Sequence, residues 1–472
     1  MSDYLIAEIP YSQDSSVLFE KFSDEPWAVF LDSNQPNAIH GRYDIISARP
    51  YVTITSKNNK NNIDSYTGSL SVPGDPFSVV REYLPCDLQD HKKSSNKNRL
   101  KLPFVGGAIG YFSYDLGRSI EKLPSISEDD LSLPDMKIGI YSWAIVVDHV
   151  KKKTLVVGDS SSLRMRRAWD DLKKYVLDKF ARKSISDEFK VLSEVQSNMT
   201  EASYAAAFNK IKTYIREGDC YQVNLAQRFN ANVQGDAWQA YCLLRRINPS
   251  PFSAYLNYAD YQILSNSPER FLSVENDVVQ TKPIKGTRPR SHLTHEDDAL
   301  LQELVNSKKD QAENVMIVDL LRNDISKNCE LGSVKVPKLF AIESYPNVHH
   351  MVSTITGRLR DHRSAMDLLR GCFPGGSITG APKLRSMEII EELEPHRRSI
   401  YCGAIGYISN DGNMDTNIAI RTILHKNQQM YFYAGGGIVY DSKVHAEYQE
   451  TFDKAAAIMK VLNQGAQHAQ QG

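Results

Sequence analysis

The sequence predicts an α+β protein whose strands are mostly antiparallel. Two observations carry this. Runs rich in β-branched and aromatic residues occur in both halves of the chain: YVTITS, KIGIYSWAIVVDHV and KTLVVGD early, then CYQVNLAQRF, PFSAYLNY, YQILS and RFLSVEN. Helical patterns are mixed among the later strands, and QETFDKAAAIMKVL closes the chain as a helix.

The elements follow in order. Residues 1 to about 180 read as strands and turns, with DHKKSSNKNR (90–99) as a polar loop. SISDEFKVLSEVQSN (184–198) reads as a connector, so the boundaries fall at 1–185 and 195–465. The second region opens with a helix. Asn198 and Glu201 fit a capping box, and Tyr204, Phe208, Ile211 and Ile215 make an apolar face. Gly218 stands where the helix should end.

Composition narrows the function. With 472 residues the chain exceeds one ordinary domain of roughly 100–200 residues, although large single α+β units exist. Its 41% hydrophobic and 24% charged residues suit a globular protein, and the formal charge is only -1. No basic stripe stands out, which argues against nucleic acid. The N-terminus MSDYLIAEIPYSQDSS lacks the basic start and apolar core of a signal peptide, and no run of about 18 apolar residues predicts a membrane span. Six scattered cysteines without a CxxC pair predict a reduced, cytoplasmic protein.

Several residues are candidates for chemistry. TKPIKGTRPR (281–290) has the prolines and glycine of a loop, and Lys285 sits at its centre. Glu269, in NSPERF, lies 16 residues earlier, and a hairpin could bring the two together; a salt bridge from Glu269 to Arg270 is the plainer reading. Two helical stretches carry acids three residues apart, Asp310 with Glu313 and Glu447 with Glu450. Each pair shares a helix face. The acids are either solvated charge, with Glu450–Lys454 and Lys443–Glu447 as i,i+4 pairs, or they converge on a hard cation such as Mg²⁺. Arg421, in TNIAIRTIL, has the alternating neighbours of a strand and reads as pointing inward, to an anion or to a structural partner. His350, in NVHHMVST, reads as a strand histidine. Gly435 to Gly437, in YAGGGIVYDS, read as a loop after a strand that allows close approach of an anion. No GxGxxG or GxxxxGK[ST] supports nucleotide binding. Cys372 and Cys402 lack a GxCxG turn and read as packed thiols.

Taken together, PIKGT, SPERF, ENVMIVDLLRND, FPGGSITGAPK, AIRT, AGGGIV and EYQETFDK occur in one order over about 200 residues. They resemble the chorismate-utilising family, which includes anthranilate, aminodeoxychorismate, isochorismate and salicylate synthases. A weaker resemblance covers most of the chain. It implies a large two-lobed antiparallel β-sandwich flanked by helices, with both regions in one intertwined unit. Members that form anthranilate typically have PIAGT; Lys285 resembles the branch that aminates chorismate at C4. Isochorismate and salicylate members place a lysine where this chain has Gln222.

What the resemblance implies is specific. Chorismate and ammonia would give 4-amino-4-deoxychorismate, for p-aminobenzoate and folate synthesis. Glu313 and Glu450 would bind Mg²⁺, and Asp310 and Glu447 would hold its waters. Glu269 would protonate the departing C4 oxygen, and Lys285 would attack C2 before ammonia displaces it. Thr287, His350, Ser377, Tyr401, Arg421, Lys454 and the amides near Gly435 and Gly437 would contact substrate. A separate glutamine amidotransferase subunit would supply ammonia. FLDS and NPSPF, with Asp32, Ser33 and Pro249, are similar to the family's tryptophan pocket. The competing readings are anthranilate formation and a non-catalytic binding or regulatory paralogue.

Overall fold

The computed structural model describes residues 4–34, 41–85, 101–181, 187–345 and 347–469. The predicted polar loop at 90–99 lies outside these residues. Two sheets, of 13 and 12 strands among the described residues, make up the body. Neighbouring strands pair antiparallel throughout, as in the long ladder between Gln222–Gln234 and Gln429–Ile438. The α+β expectation and its antiparallel sheets are borne out.

The sheets stack because three apolar layers are available. Residues from both sheets, including Val29, Ile45, Ile109, Tyr111, Tyr141, Leu256, Ile263 and Ile405, form the layer between them. A second layer lies between the outer face of the larger sheet and the helices Ala237–Ile247 and Val444–Ala469. A third joins the other sheet to Lys308–Ser326 and Ala365–Cys372. On the Val444 helix, Ala455, Ile458, Val461 and Leu462 are buried in that packing. Burial of this kind is worth about 25 cal/mol per Å² of apolar surface.

Both halves of the chain enter each sheet. Val29–Asp32 pairs with Phe252–Asn257 in one. Gly107–Phe112 pairs with Ala404–Ser409 in the other.

Three local expectations need correction. The second-half helix runs Glu201–Glu217 and is capped by Thr200, whose hydroxyl accepts from Ser203 N–H. Asn198 is drawn away from the cap, because its carboxamide meets the Arg228 N–H at 2.8 Å and His396 at 3.0 Å. Gly218 does end the helix, with a left-handed φ of 87°. The segment after 187 is more than a connector: Lys190–Val191 and Gln196–Ser197 both pair with the Gln222 strand. The lysine loop is also a strand, Ile284–Pro289, paired with Val348–Arg358 and irregular between Ile284 and Thr287. Its prolines are tolerated because that strand ends the sheet, where a missing N–H leaves no ladder partner unmet.

Candidate active site

Lys285 reaches its position through Gly286. That glycine has a φ of +79°, and a β-carbon on it would lie 2.9 Å from both Asp310 Cγ and Leu304 Cδ1. Only glycine lets the strand turn here while the acid-bearing Lys308 helix packs against it. The Lys285 ammonium donates to the Ser377 carbonyl at 3.0 Å. Ser377 belongs to the short helical turn Gly376–Ile378.

Glu269 is buried beside them. It lies between the strands Tyr261–Ser267 and Arg270–Glu275. The plainer reading of this acid fails, because Arg270 pairs with Asp415 at 2.8 Å. Burial pushes the Glu269 carboxyl above its usual range, against the pull of Lys285, the Ser377 hydroxyl and the Ile284 N–H. Burial likewise pushes the Lys285 amine below its usual range; Glu269 opposes this and Lys454 adds to it. Burial thus disfavours the charged form of both groups.

Of the four helical acids, Glu313 and Glu450 interact electrostatically with the same lysine, and Asp310 and Glu447 lie beside them. Burial raises Glu313, with Asp310 and Glu450 adding to the shift and Lys285 and Lys309 opposing it. Burial also raises Glu447, whose carboxylate accepts from the Ser442 hydroxyl at 2.6 Å. Burial would raise Glu450 too, but Lys454, Lys309 and Lys285 outweigh it and hold that carboxyl below its usual range. The expected Glu450–Lys454 pair forms at 2.6 Å. Glu447 takes Ser442 rather than Lys443, because it turns inward and is buried. Asp310 is held by Arg288 at 3.2 Å.

The donor set suits a hard cation: carboxylate oxygens only, with Asp310 and Glu450 raising Glu313 and Glu450 raising Glu447. Among the described residues, no group of three or more such side chains is close enough to close around a metal unaided.

The glycines Gly435 to Gly437 lie inside the strand Gln429–Ile438, not in a loop. Close packing explains them. A β-carbon on Gly436 would meet Glu447 Oε2 at 3.0 Å and Glu450 Oε1 at 3.4 Å, and one on Gly437 would collide with Gln222 Nε2. The Gly435 carbonyl accepts from Lys454 at 3.0 Å.

Other candidates divide between the two sides of this centre. Thr287 and His350 face each other across paired strands, 2.8 Å from hydroxyl to Nδ1. Burial, helped by Arg421 and His349, lowers the His350 pKa to about 3, so its ring is neutral. Arg421 sits at a bend between two strands with a φ of 50°, not within a strand as its neighbours suggested. Side chains hold that conformation only where the surroundings enforce it. Burial lowers its pKa, and its guanidinium has no hydrogen bond or ion pair among the described residues. Tyr401 is buried and stacks on Tyr433, with ring centres 5.2 Å apart.

Cys372 and Cys402 are buried thiols, as expected. Burial pushes Cys402 to about 12, and Cys220 and Cys329 to about 11.

A separate cavity of about 390 Å³ opens between the sheets, lined by Asp32, Ser33, Pro251, Pro268 and Ile284 among others. The Asp32 carboxylate is already engaged by Arg245 at 2.7 Å and Tyr241 at 2.9 Å. Ser33 donates to Asp44 at 2.6 Å. Pro251, rather than Pro249, is the proline of NPSPF that reaches the wall.

Sequence reasoning missed the groups that hold these residues, notably Arg398 and Glu394. Their signal was faint: EPHRRSIYCG carries an acid and an arginine four residues apart outside any apolar pattern.

The chorismate binding enzyme profile matches residues 28–460. The chain is 48% identical to aminodeoxychorismate synthase component 1 of Escherichia coli K12, over 94% of this chain and 95% of that one. It is 45% identical to the Klebsiella aerogenes protein of the same name, over 96% and 98%. Among solved structures, anthranilate synthase component I from Streptococcus pneumoniae TIGR4 superposes with a TM-score of 0.79 at 35% identity, covering 89% of this chain and 93% of that one. The chain belongs to the chorismate binding enzyme family.

Proposed function

We propose that this protein is the chorismate-converting component of an aminodeoxychorismate synthase, working in the cytoplasm and forming 4-amino-4-deoxychorismate. The observation that carries the reading is half-buried Lys285 beside buried Glu269, both in reach of Ser377, with the amine shifted down and the acid shifted up. Loss of the C4 hydroxyl needs a proton, and a carboxyl whose pKa burial raises would supply it. A lysine acts as a nucleophile only when neutral, and Lys285 is held toward that state beside the acid. Attack at the substrate's C2, followed by displacement by ammonia at C4, uses both groups once. The fixed strand supplies orientation.

Chorismate is a dianion, so the site must offer positive partners. Arg421, whose guanidinium has no hydrogen bond or ion pair among the described residues, would take one carboxylate, and Tyr401 and Lys454 would add contacts. Thr287, neutral His350 and Ser377 would line the ring, and the amides near Gly435 and Gly437 would approach a carboxylate. Glu313 and Glu450 would hold Mg²⁺, with Asp310 and Glu447 on its waters. When bound, the ion neutralises a substrate carboxylate among four acids.

Ammonia comes free or from a separate glutamine amidotransferase subunit. In support, the described cysteines are buried or carry raised pKa values, so none is a ready thiolate. We also propose that the 390 Å³ cavity holds tryptophan, with its volume as the support.

The test is chorismate consumption by the purified chain with and without Mg²⁺ and ammonium. Consumption that requires both is expected. Consumption without ammonium, giving a hydroxylated product, would overturn the reading.

A further inference from the structure

Arg398 is the most deeply buried charged side chain close to the site, with only 2% of its surface exposed. It follows the helix Lys383–Leu393 and pairs with Glu394, four residues earlier. Each of its three nitrogens is engaged. Nε and Nη2 donate to the two Glu394 oxygens at 2.9 and 2.6 Å. Nη1 donates to the Ile378 carbonyl at 3.0 Å. Nη2 also donates to the Asn224 carbonyl at 2.9 Å and to its side-chain oxygen at 3.1 Å. Glu394 in turn accepts from the Ala226 N–H at 2.9 Å.

These partners are not arbitrary. Ile378 follows Ser377, whose carbonyl takes the Lys285 ammonium and whose hydroxyl meets Glu269. Asn224 and Ala226 stand opposite Gly437 and Gly435 in the neighbouring strand. The other end of the same loop is tied by Lys383 to Asp324, at 2.6 Å, on the helix that bears Asp310 and Glu313. A buried ion pair is poor evidence for stability, because apolar replacements of similar volume are often as stable or more so. Retaining one here makes sense if its directional hydrogen bonds set a geometry.

We propose that the Arg398–Glu394 pair is a positioning device for the reaction: it locks the Ser377 turn against the Gln222 strand and so fixes Lys285 and Glu269 relative to the bound substrate. This rests on the function proposed above. Neither residue touches the reacting atoms. The guanidinium acts through two neighbouring carbonyls, those of Ser377 and Ile378.

The test uses the full chain carrying Arg398→Met or Glu394→Gln. Ile145→Ala, in the buried core of the larger sheet, serves as a control that lowers stability away from the site. Two quantities are read at a temperature where each variant is folded. One is kcat against chorismate affinity. The other is the acetylation rate of Lys285 by trace acetic anhydride, relative to exposed Lys335 and read by peptide mass spectrometry. For Arg398→Met, kcat should fall roughly 10²-fold with affinity within about threefold, since small misplacements cost that much. The relative labelling of Lys285 should shift at least about fivefold, and Glu394→Gln should move both readouts the same way by less. The control should leave relative labelling unchanged. Labelling in both site variants that matches the control would overturn the proposal. Should Arg398→Met fail to fold, Glu394→Gln decides alone. Labelling needs no turnover, so an inactive wild-type chain would refute the functional reading while the positioning test still stands.

Discussion

At the residue scale the proposed chemistry rests on Lys285 and Glu269. Each is perturbed mainly by burial, and in the direction its proposed role requires. Replacing Lys285 with alanine should lower the rate of C4 amination at least about 10²-fold at fixed ammonium, measured by product chromatography. Activity should rise with pH as Lys285 loses its proton and fall as Glu269 loses its own. Lys285 moves down from 10.5 and Glu269 up from 4.5, so the two limbs draw together and kcat/KM should be bell-shaped. A profile flat from pH 5 to 10 would contradict that pairing. Arg421→Met should weaken chorismate binding about 10–100-fold, because a charged hydrogen bond of about 1.5–3 kcal/mol is lost; titration calorimetry would measure it. Most of these residues were legible in the sequence because short motifs mark them. Their burial was not, since it comes from strands distant in the chain, such as those of Arg270 and Asn417. Arg398 and Glu394 escaped because a buried ion pair leaves no periodic trace.

Elements set how closely those residues approach. The acids of the Lys308 helix and the lysine strand meet only because Gly286 has no side chain. Gly286→Ala should cost about 1–3 kcal/mol of stability from the left-handed backbone alone, read by urea unfolding. It should also lower kcat, because Asp310 must shift. A fully stable variant would show that the close packing is dispensable. Strand and helix identities followed from β-branched runs and from the 3.6-residue period. The errors share a cause: tertiary pairing overrode local turn chemistry. Prolines and glycines in 281–290 and 435–437 suggested loops. A sheet-edge position admits the first, and close helix packing explains the second. Asn198 likewise gave up a cap for a cross-strand bond to Arg228.

The whole molecule joins its two halves through shared sheets, and the interior cavity lies where they meet. Its walls include Pro268 and Ile284, neighbours of Glu269 and Lys285. If tryptophan occupies it, saturating tryptophan at about 100 times its dissociation constant should stabilise the protein by about 2.7 kcal/mol and raise the melting temperature. No shift at millimolar tryptophan would empty that proposal. No helix among the described residues is long and apolar enough to cross a membrane. The architecture was readable only as α+β with antiparallel strands; the sandwich itself came from the resemblance, because sequence periodicity does not say which strands pair across 200 residues. The most direct measurement is the position of nitrogen in the product. The purified chain is incubated with chorismate, Mg²⁺ and ¹⁵N-ammonium, and the product is analysed by NMR. The account predicts ¹⁵N bonded to C4 with the enolpyruvyl group retained. ¹⁵N at C2 of an aromatic ring would contradict it and make the lysine strand irrelevant to the choice of product.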